Sequence, residues 1–193
     1  WQWGGGWLAE IGFSDFAGST LVHSTGGAAA LAGIMILGPR YGRFTKSGVP
    51  TPIKPFAASS IPLVTIGVFV LWLGWFGFNG GSQLALGSFS DAVSISTIFI
   101  NTNLAACGGV MAAAVITRLM FGKTDVVQML NGAIGGLVAI TAEPLAPSPL
   151  SAILIGAVGG VIVVFGTKLL FSYKLDDVVG AIPAHLLSGI WGT

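Results

Sequence analysis

Residues 57–82 read AASSIPLVTIGVFVLWLGWFGFNGGS, a run without one ionisable side chain. A helix rises 1.5 Å per residue and needs about 20 mostly apolar residues to cross the hydrocarbon core of a bilayer. This run therefore reads as a membrane-spanning helix. Five further stretches read the same way, at roughly 16–38, 93–119, 124–142, 149–171 and 177–193, the last of them short. Between them lie GPRYGRFTKSGVPTPIKP, LALGSFSDA, FGKTD, AEPLAPSP and SYKLDD, rich in the Pro, Gly, Ser and Asp that interrupt helices. Barrel strands would alternate apolar and polar residues over about ten positions, and these runs do not. The expected fold class is all-α, a polytopic transmembrane helical bundle.

Composition agrees. Of 193 residues, 53% are hydrophobic and 8% charged, against about 25% charged in a soluble domain. The mean hydropathy is +0.88. Thirty glycines (Gly 30) make up about 15% of the chain, without the period of collagen. A net charge of +1 offers nucleic acid no basic surface, so no nucleic-acid partner is expected. The single cysteine, Cys107, excludes an internal disulfide. No metal-ligand spacing, phosphate loop or nucleophile–base arrangement appears, and neither an enzyme nor a cofactor is expected; GAIGG lies within an apolar run rather than between a strand and a helix. The chain begins at Trp1 without a secretory leader and stops within an apolar stretch, which reads as the interior of a longer protein.

The basic residues suggest an orientation. Arg40, Arg43, Lys46 and Lys54 lie in the first break, Arg118 and Lys123 bracket the third, and Lys168 and Lys174 the fifth. All fall at alternate breaks, while the opposite ends carry Glu10, Asp91 and Glu143. By the positive-inside bias the basic side is expected to be cytoplasmic. GxxxG spacings at Gly132/Gly136 and Gly156/Gly160 permit close helix approach, either within the bundle or at an oligomer face.

Ionisable residues within apolar helices are the informative ones in a membrane protein. The chain has two histidines, and each falls inside such a helix. His23 lies in the first segment, eight residues (~12 Å) beyond Asp15, and His185 in the sixth, eight residues beyond Asp177. Counted from opposite sides, both reach mid-membrane depth. A neutral imidazole donates one hydrogen bond and accepts one, so two rings can satisfy each other in a dry interior. Asp15 reads either as a helix N-cap, accepting bonds from free backbone N–H groups, or as a buried carboxylate that stabilises a cation. Trp3, Trp75, Phe76 and Phe78 lie at or near the outer ends of segments, where the bland reading is an interfacial aromatic belt, a reading that also covers Trp1 and Trp7. Phe78 is followed by Asn79, Gly80, Gly81 and Ser82, read as a flexible polar stretch suited to a pore mouth where aromatic faces attract a small cation.

DFAGSTLVHSTGGAAALAG (15–33), GWFGFNGGS (74–82), NTNLAA (101–106), NGAIGGLVAIT (131–141) and DDVVGAIPAHLLSGIWGT (176–193) together resemble the ammonium transporter/methylammonium permease/Rhesus family. The resemblance implies that residues 1–193 are part of a single transmembrane domain, six helices equivalent to the fifth to tenth of eleven, truncated at both ends. It implies that His23 and His185 are the twin histidines of a hydrophobic pore, and that Phe78 is the inner member of a phenylalanine gate. It implies substrate-binding roles for Trp3 and Ser82 at an outer recruitment site, for Asp15 in the outer vestibule and for Thr141 at the pore mouth. The implied substrate is ammonium/ammonia, with methylammonium as an analogue. The implied surroundings are a multi-pass position in the inner or plasma membrane, a homotrimer with one pore per subunit, and a cytoplasmic regulatory protein as partner. Where the family commonly has GVHG, this chain has Pro183-Ala184-His185-Leu186. Pro183 removes a backbone donor, and Leu186 replaces a glycine beside the pore.

The function this implies is transport: NH4+ is recruited at the outer aromatic site, loses a proton, and NH3 passes the histidines with or without that proton. A sensor whose ammonium occupancy drives a cytoplasmic signalling module is the alternative. A structural membrane subunit with satisfied histidines is a third reading.

Overall fold

A computed structural model describes residues 1–44 and 56–193. Among them the ordered elements are helical, in the order α1 (Trp7–Glu10), a π-helical segment (Ser19–Ser24) running into α2 (Thr25–Leu37), α3 (Ile61–Gly81), α4 (Phe89–Phe121), α5 (Val126–Ile140), α6 (Pro149–Ser172), and a second π-helical segment (Ile182–Leu187) running into α7 (Ser188–Gly192). Each expected segment contains helix, but that expected at 124–142 is only the 15-residue Val126–Ile140 and that expected at 177–193 is helical over Ile182–Leu187 and Ser188–Gly192. Four of these helical stretches are long and apolar enough to cross a membrane: Ser19–Leu37, α3, α4 and α6.

Short-range capping sets the starts. The hydroxyls of Ser60 and Ser148 accept from the N–H groups of Leu63 and Ser151, and each helix takes a proline in its first turn, where no donor is missed. Ser88 and Asp91 form a reciprocal capping box, so α4 begins at Phe89, inside a stretch the sequence reads as a break. It ends at Gly122, which adopts the left-handed conformation with φ 72°. Asp125 caps α5, which is only 15 residues long and almost wholly buried from Gly132 onward.

Helices α4, α5 and α6 pack as a trio, with Leu137, Val138 and Val163 fully or almost fully buried. Helix α3 lies against α4 and α5, and the two π-helical segments meet each other beside α5, the second also lying against α6. The GxxxG glycines face this interior. A β-carbon on Gly136 or Gly156 would overlap the backbone of Ala105, and one on Gly160 the backbone of Gly109. Of the two readings of these spacings, packing within the bundle is the one seen. Large apolar side chains such as Leu63, Phe69 and Leu73 of α3 point outward, as expected of a membrane protein.

The breaks gather at two ends. At one, Phe16 and Ala17 donate backbone bonds to Ala142 and Thr141, and the Asn101 amide donates to Pro144 and Pro147. At the other, Arg40 grips Asp176 with Nε and a terminal nitrogen at 2.7 and 2.8 Å, and its backbone N–H adds a third bond at 3.0 Å. Arg43 lies 3.2 Å from the same carboxylate and 4.4 Å above the Phe171 ring. The first and fifth breaks, both basic, therefore meet. Lys46 and Lys54 lie outside the described residues.

The hydrogen bonds from Arg40 hold the Asp176 carboxyl below the usual carboxylate range. A carboxylate whose pKa is depressed by folding stabilises the fold above its unfolded value, near 3.9, and that stability is lost as pH falls through the folded value. Asp176→Ala is expected to cost about 1–3 kcal/mol, less than a fully buried pair because Arg40 is 40% exposed. It should also flatten the acid limb of the thermal-midpoint profile below about pH 4. Differential scanning fluorimetry across pH 3–7 checks this; an unchanged acid limb would remove Asp176 from the account.

Candidate functional site

Asp15 is 1% exposed and ends its chain excursion in a turn that needs glycine, since Gly18 has φ 111°. Its Oδ1 accepts from the N–H groups of Gly18 and Ser19 at 3.1 and 2.8 Å, and its Oδ2 from those of Thr20 and Leu21, both at 2.9 Å. The carboxylate thus takes up the orphan donors of the first π-helical segment and matches the positive end of the helix dipole. Of the two readings of Asp15, this geometry is that of a cap.

The same device recurs in the sixth segment. Asp177 Oδ1 accepts from Val179, Gly180 and Ala181, and its Oδ2 from Ile182 at 2.8 Å; Gly180 has φ 79°. Both sites share one pattern, D-x2-G-x4-H-x3-G, at 15–27 and 177–189. The final glycines complete it. A β-carbon on Gly27 would strike Leu186, and one on Gly189 would strike Ser19 and Ser24. Each π-helical segment thus lies against the residue following the other's histidine. Leu186, which stands where the family commonly has glycine, packs its backbone and Cβ over Gly27. Pro183 sits in the second π-helical segment, where its carbonyl accepts from Ser188 Oγ at 3.0 Å.

This crossing brings the two imidazoles together, with Nδ1 to Nδ1 at 3.3 Å and ring centroids 5.2 Å apart. One Nδ1 must carry the shared proton, so the outer nitrogens are complementary: one Nε2 accepts and the other donates. His23 also stacks on Trp75 at 4.9 Å and 21°, and lies 5.4 Å from the Phe78 ring. His23 Nε2 is buried and has no hydrogen-bond partner among the described residues. Beside the pair is a cavity of about 210 Å³, walled by His23 and His185 together with Gly26, Gly27 and Ala30.

The remaining expected residues lie around this cluster. Trp3 donates its indole N–H to the Asp15 carbonyl at 2.8 Å, and the residue is 54% exposed. Ser82 closes α3 and donates its hydroxyl to the Phe78 carbonyl at 2.8 Å. No hydrogen bond joins Trp3 to Ser82 among the described residues; Trp3 is tied to the turn that follows it and Ser82 to the helix that it closes. Thr141 is wholly buried rather than at an opening, its Oγ1 accepting from the Trp75 indole at 2.9 Å. Asn79 is also wholly buried and helical, not part of a flexible mouth.

Two residues escape the sequence reading. Trp75 looks interfacial there, yet it is 6% exposed and forms one face of the histidine cluster. Its place three residues before Phe78, on the same face of α3, is the available signal. Asp177 is noticed only as a distance marker for His185; the repeated spacing from Asp to Gly to His is its signal.

With this geometry in place, known proteins resemble the chain throughout. The sequence profile of the Ammonium Transporter Family matches residues 1–193. Ammonium transporter Amt2 of Archaeoglobus fulgidus is 46% identical over 202 residues, covering 100% of this chain and 42% of that protein. A solved structure titled "Sensor Amt Protein" superposes with a TM-score of 0.90 at 37% identity, over 97% of this chain and 44% of the other. The crystal structure of Candida albicans Mep2 gives 0.86 at 31% identity, over 100% of this chain and 41% of Mep2. The chain thus spans less than half the length of these relatives.

Proposed function

The chain belongs to the Ammonium Transporter Family, and from that premise we propose that it carries the conduction site of an ammonium-transporting membrane protein. In this reading NH4+ is drawn to the exposed face of Trp3 by the ring quadrupole. Ser82 adds an acceptor: its hydroxyl proton is committed to Phe78, so its lone pairs face outward to an ammonium N–H. Asp15 stabilises the vestibule through the turn that it caps. Phe78 excludes water and hydrated ions. The cation gives up a proton on entry, and NH3 passes the His23–His185 pair.

The observation that carries this reading is the histidine pair itself. The chain's two histidines spend their inner nitrogens on each other, while His23 keeps a buried, unpartnered Nε2 beside an apolar cavity. An unpaired buried nitrogen costs free energy unless something visits it. A small molecule that both donates and accepts, as ammonia does, fits that role, and weak sequential contacts of this kind permit passage.

Reconstitution tests the reading. The full-length protein in proteoliposomes is expected to carry ammonium flux and to exclude potassium. A sensor without conduction would bind ammonium and carry none. Trp3→Leu removes the cation-attracting face and is expected to weaken apparent affinity about fivefold, for a contact of ~1 kcal/mol at an exposed site. Ser82→Ala should weaken it by a similar or smaller factor. Wild-type affinity and rate in both variants would place recruitment elsewhere.

A further inference from the structure

Behind the histidine cluster runs a chain of polar groups with no access to solvent. The Trp75 indole donates to Thr141 Oγ1 at 2.9 Å. That hydroxyl lies 2.6 Å from the Leu137 carbonyl and 3.3 Å from Asn79 Oδ1, the two acceptors available to its one proton. Asn79 Nδ2 in turn donates to Thr102 Oγ1 at 3.0 Å. Asn79, Thr102 and Thr141 are each 0% exposed, and Trp75 is 6% exposed. The four residues come from α3, α4 and the residue that ends α5.

Apolar side chains of the same shapes would fill this space with little or no loss of stability. A buried hydrogen-bonded network instead favours one geometry. The indole has a single polar atom, and anchoring it fixes the rotation of the ring about its own axis. Asn79 follows Trp75 by one helical turn, so both reach the Thr141 hydroxyl from the same face of α3. The backbone of Thr141 is held as well, since its carbonyl accepts from Ala17 in the Asp15 turn at 3.0 Å. One residue therefore ties the turn that positions His23 to the ring that stacks on it.

We propose that Asn79, Thr102 and Thr141 are positioning residues: their buried hydrogen-bond chain holds the Trp75 plane against His23 and so sets the space beside the histidine pair. None of the three touches the permeating species. The inference rests on the conduction role proposed above for that pair, and it replaces direct substrate contact by Thr141 with action through Trp75.

The test uses the full-length protein in proteoliposomes. Thr141→Val keeps the shape and removes the acceptor; it is expected to lower the maximal ammonium rate about three- to tenfold, with half-saturation changed less than about twofold. Potassium exclusion should weaken alongside. Thr141→Ser, which restores the hydroxyl, should recover both. Asn79→Leu and Thr102→Val give smaller changes in the same direction and serve if Thr141→Val fails to fold. The second readout is the 15N NMR shifts of the imidazoles and of the Trp75 indole, expected to move in Thr141→Val and return in Thr141→Ser. Wild-type rates, selectivity and shifts in the valine and leucine variants would overturn the proposal, as would altered rates with unmoved shifts. If the unmodified protein carries no ammonium flux, the proposed function falls. The shifts alone then decide whether the chain positions the rings.

Discussion

His23→Ala and His185→Ala are each expected to change ammonium flux at least about tenfold, or to admit potassium, while leaving assembly largely intact. The two rings share one proton between nitrogens 3.3 Å apart. Removing either ring strands the other's Nδ1 in an apolar enclosure, at about 1–3 kcal/mol for a buried polar group left unpaired. Most of that cost falls on the site, because the π-helical segments are held independently. Asp15 and Asp177 each accept four backbone bonds, and Gly27 and Gly189 keep the segments in close contact. The histidine variants should therefore fold and lose the chemistry. The double variant should resemble the worse single one, since the pair acts as one hydrogen-bonded unit. Flux in proteoliposomes, beside the thermal midpoint, checks the split. Unaltered ammonium and potassium flux in both single variants would end the twin-histidine reading.

The membrane architecture was legible because hydropathy in runs of twenty residues is a strong local signal. The helix ends that moved did so for short-range reasons. Asp91 looks like a loop carboxylate until Ser88 is seen three residues earlier, and the capping box then draws the start of α4 back to Phe89. The histidine pair was legible from rarity and depth alone. Its immediate wall was not. Trp75 reads as interfacial because tryptophan near the end of a span usually is. Only the tertiary bond from Trp75 to Thr141, which lie 66 positions apart in the chain, turns it inward. Asn79 misleads for the same reason: followed by two glycines and a serine it reads as a mouth, yet its Nδ2 donates to Thr102 and its Oδ1 lies 3.3 Å from the Thr141 hydroxyl in the interior. The repeat D-x2-G-x4-H-x3-G was present in the letters throughout. Its meaning needed the crossing, where each closing glycine packs beside the residue after the other histidine.

Gly156→Val is expected to abolish folding, and it distinguishes the two uses of a GxxxG spacing. On Gly156 a β-carbon would overlap the carbonyl and Cα of Ala105, which is backbone and cannot swing aside. On the neighbouring turn of α4 the situation is reciprocal: Gly109 meets the carbonyl of Gly132, and Gly132 meets that of Gly109. Helix α4 is therefore held against α5 and α6 at backbone contact over residues 105–109, and no rotamer change relieves an added side chain. Overpacking of an ordinary core costs about 1–3 kcal/mol. Where the obstacle is backbone the cost belongs to the exceptional range, about 4 kcal/mol or more, comparable with much of a domain's total stability. Gly67→Ala and Gly77→Ala are the controls, because open space surrounds both positions of α3. Alanine there should be neutral or stabilise the helix by up to about 1 kcal/mol. Recovery of monodisperse protein in detergent and its thermal midpoint report the outcome. If the spacing served only to join subunits, Gly156→Val would leave a folded monomer with an unchanged midpoint; if it packs the bundle, no folded species of any size should be recovered.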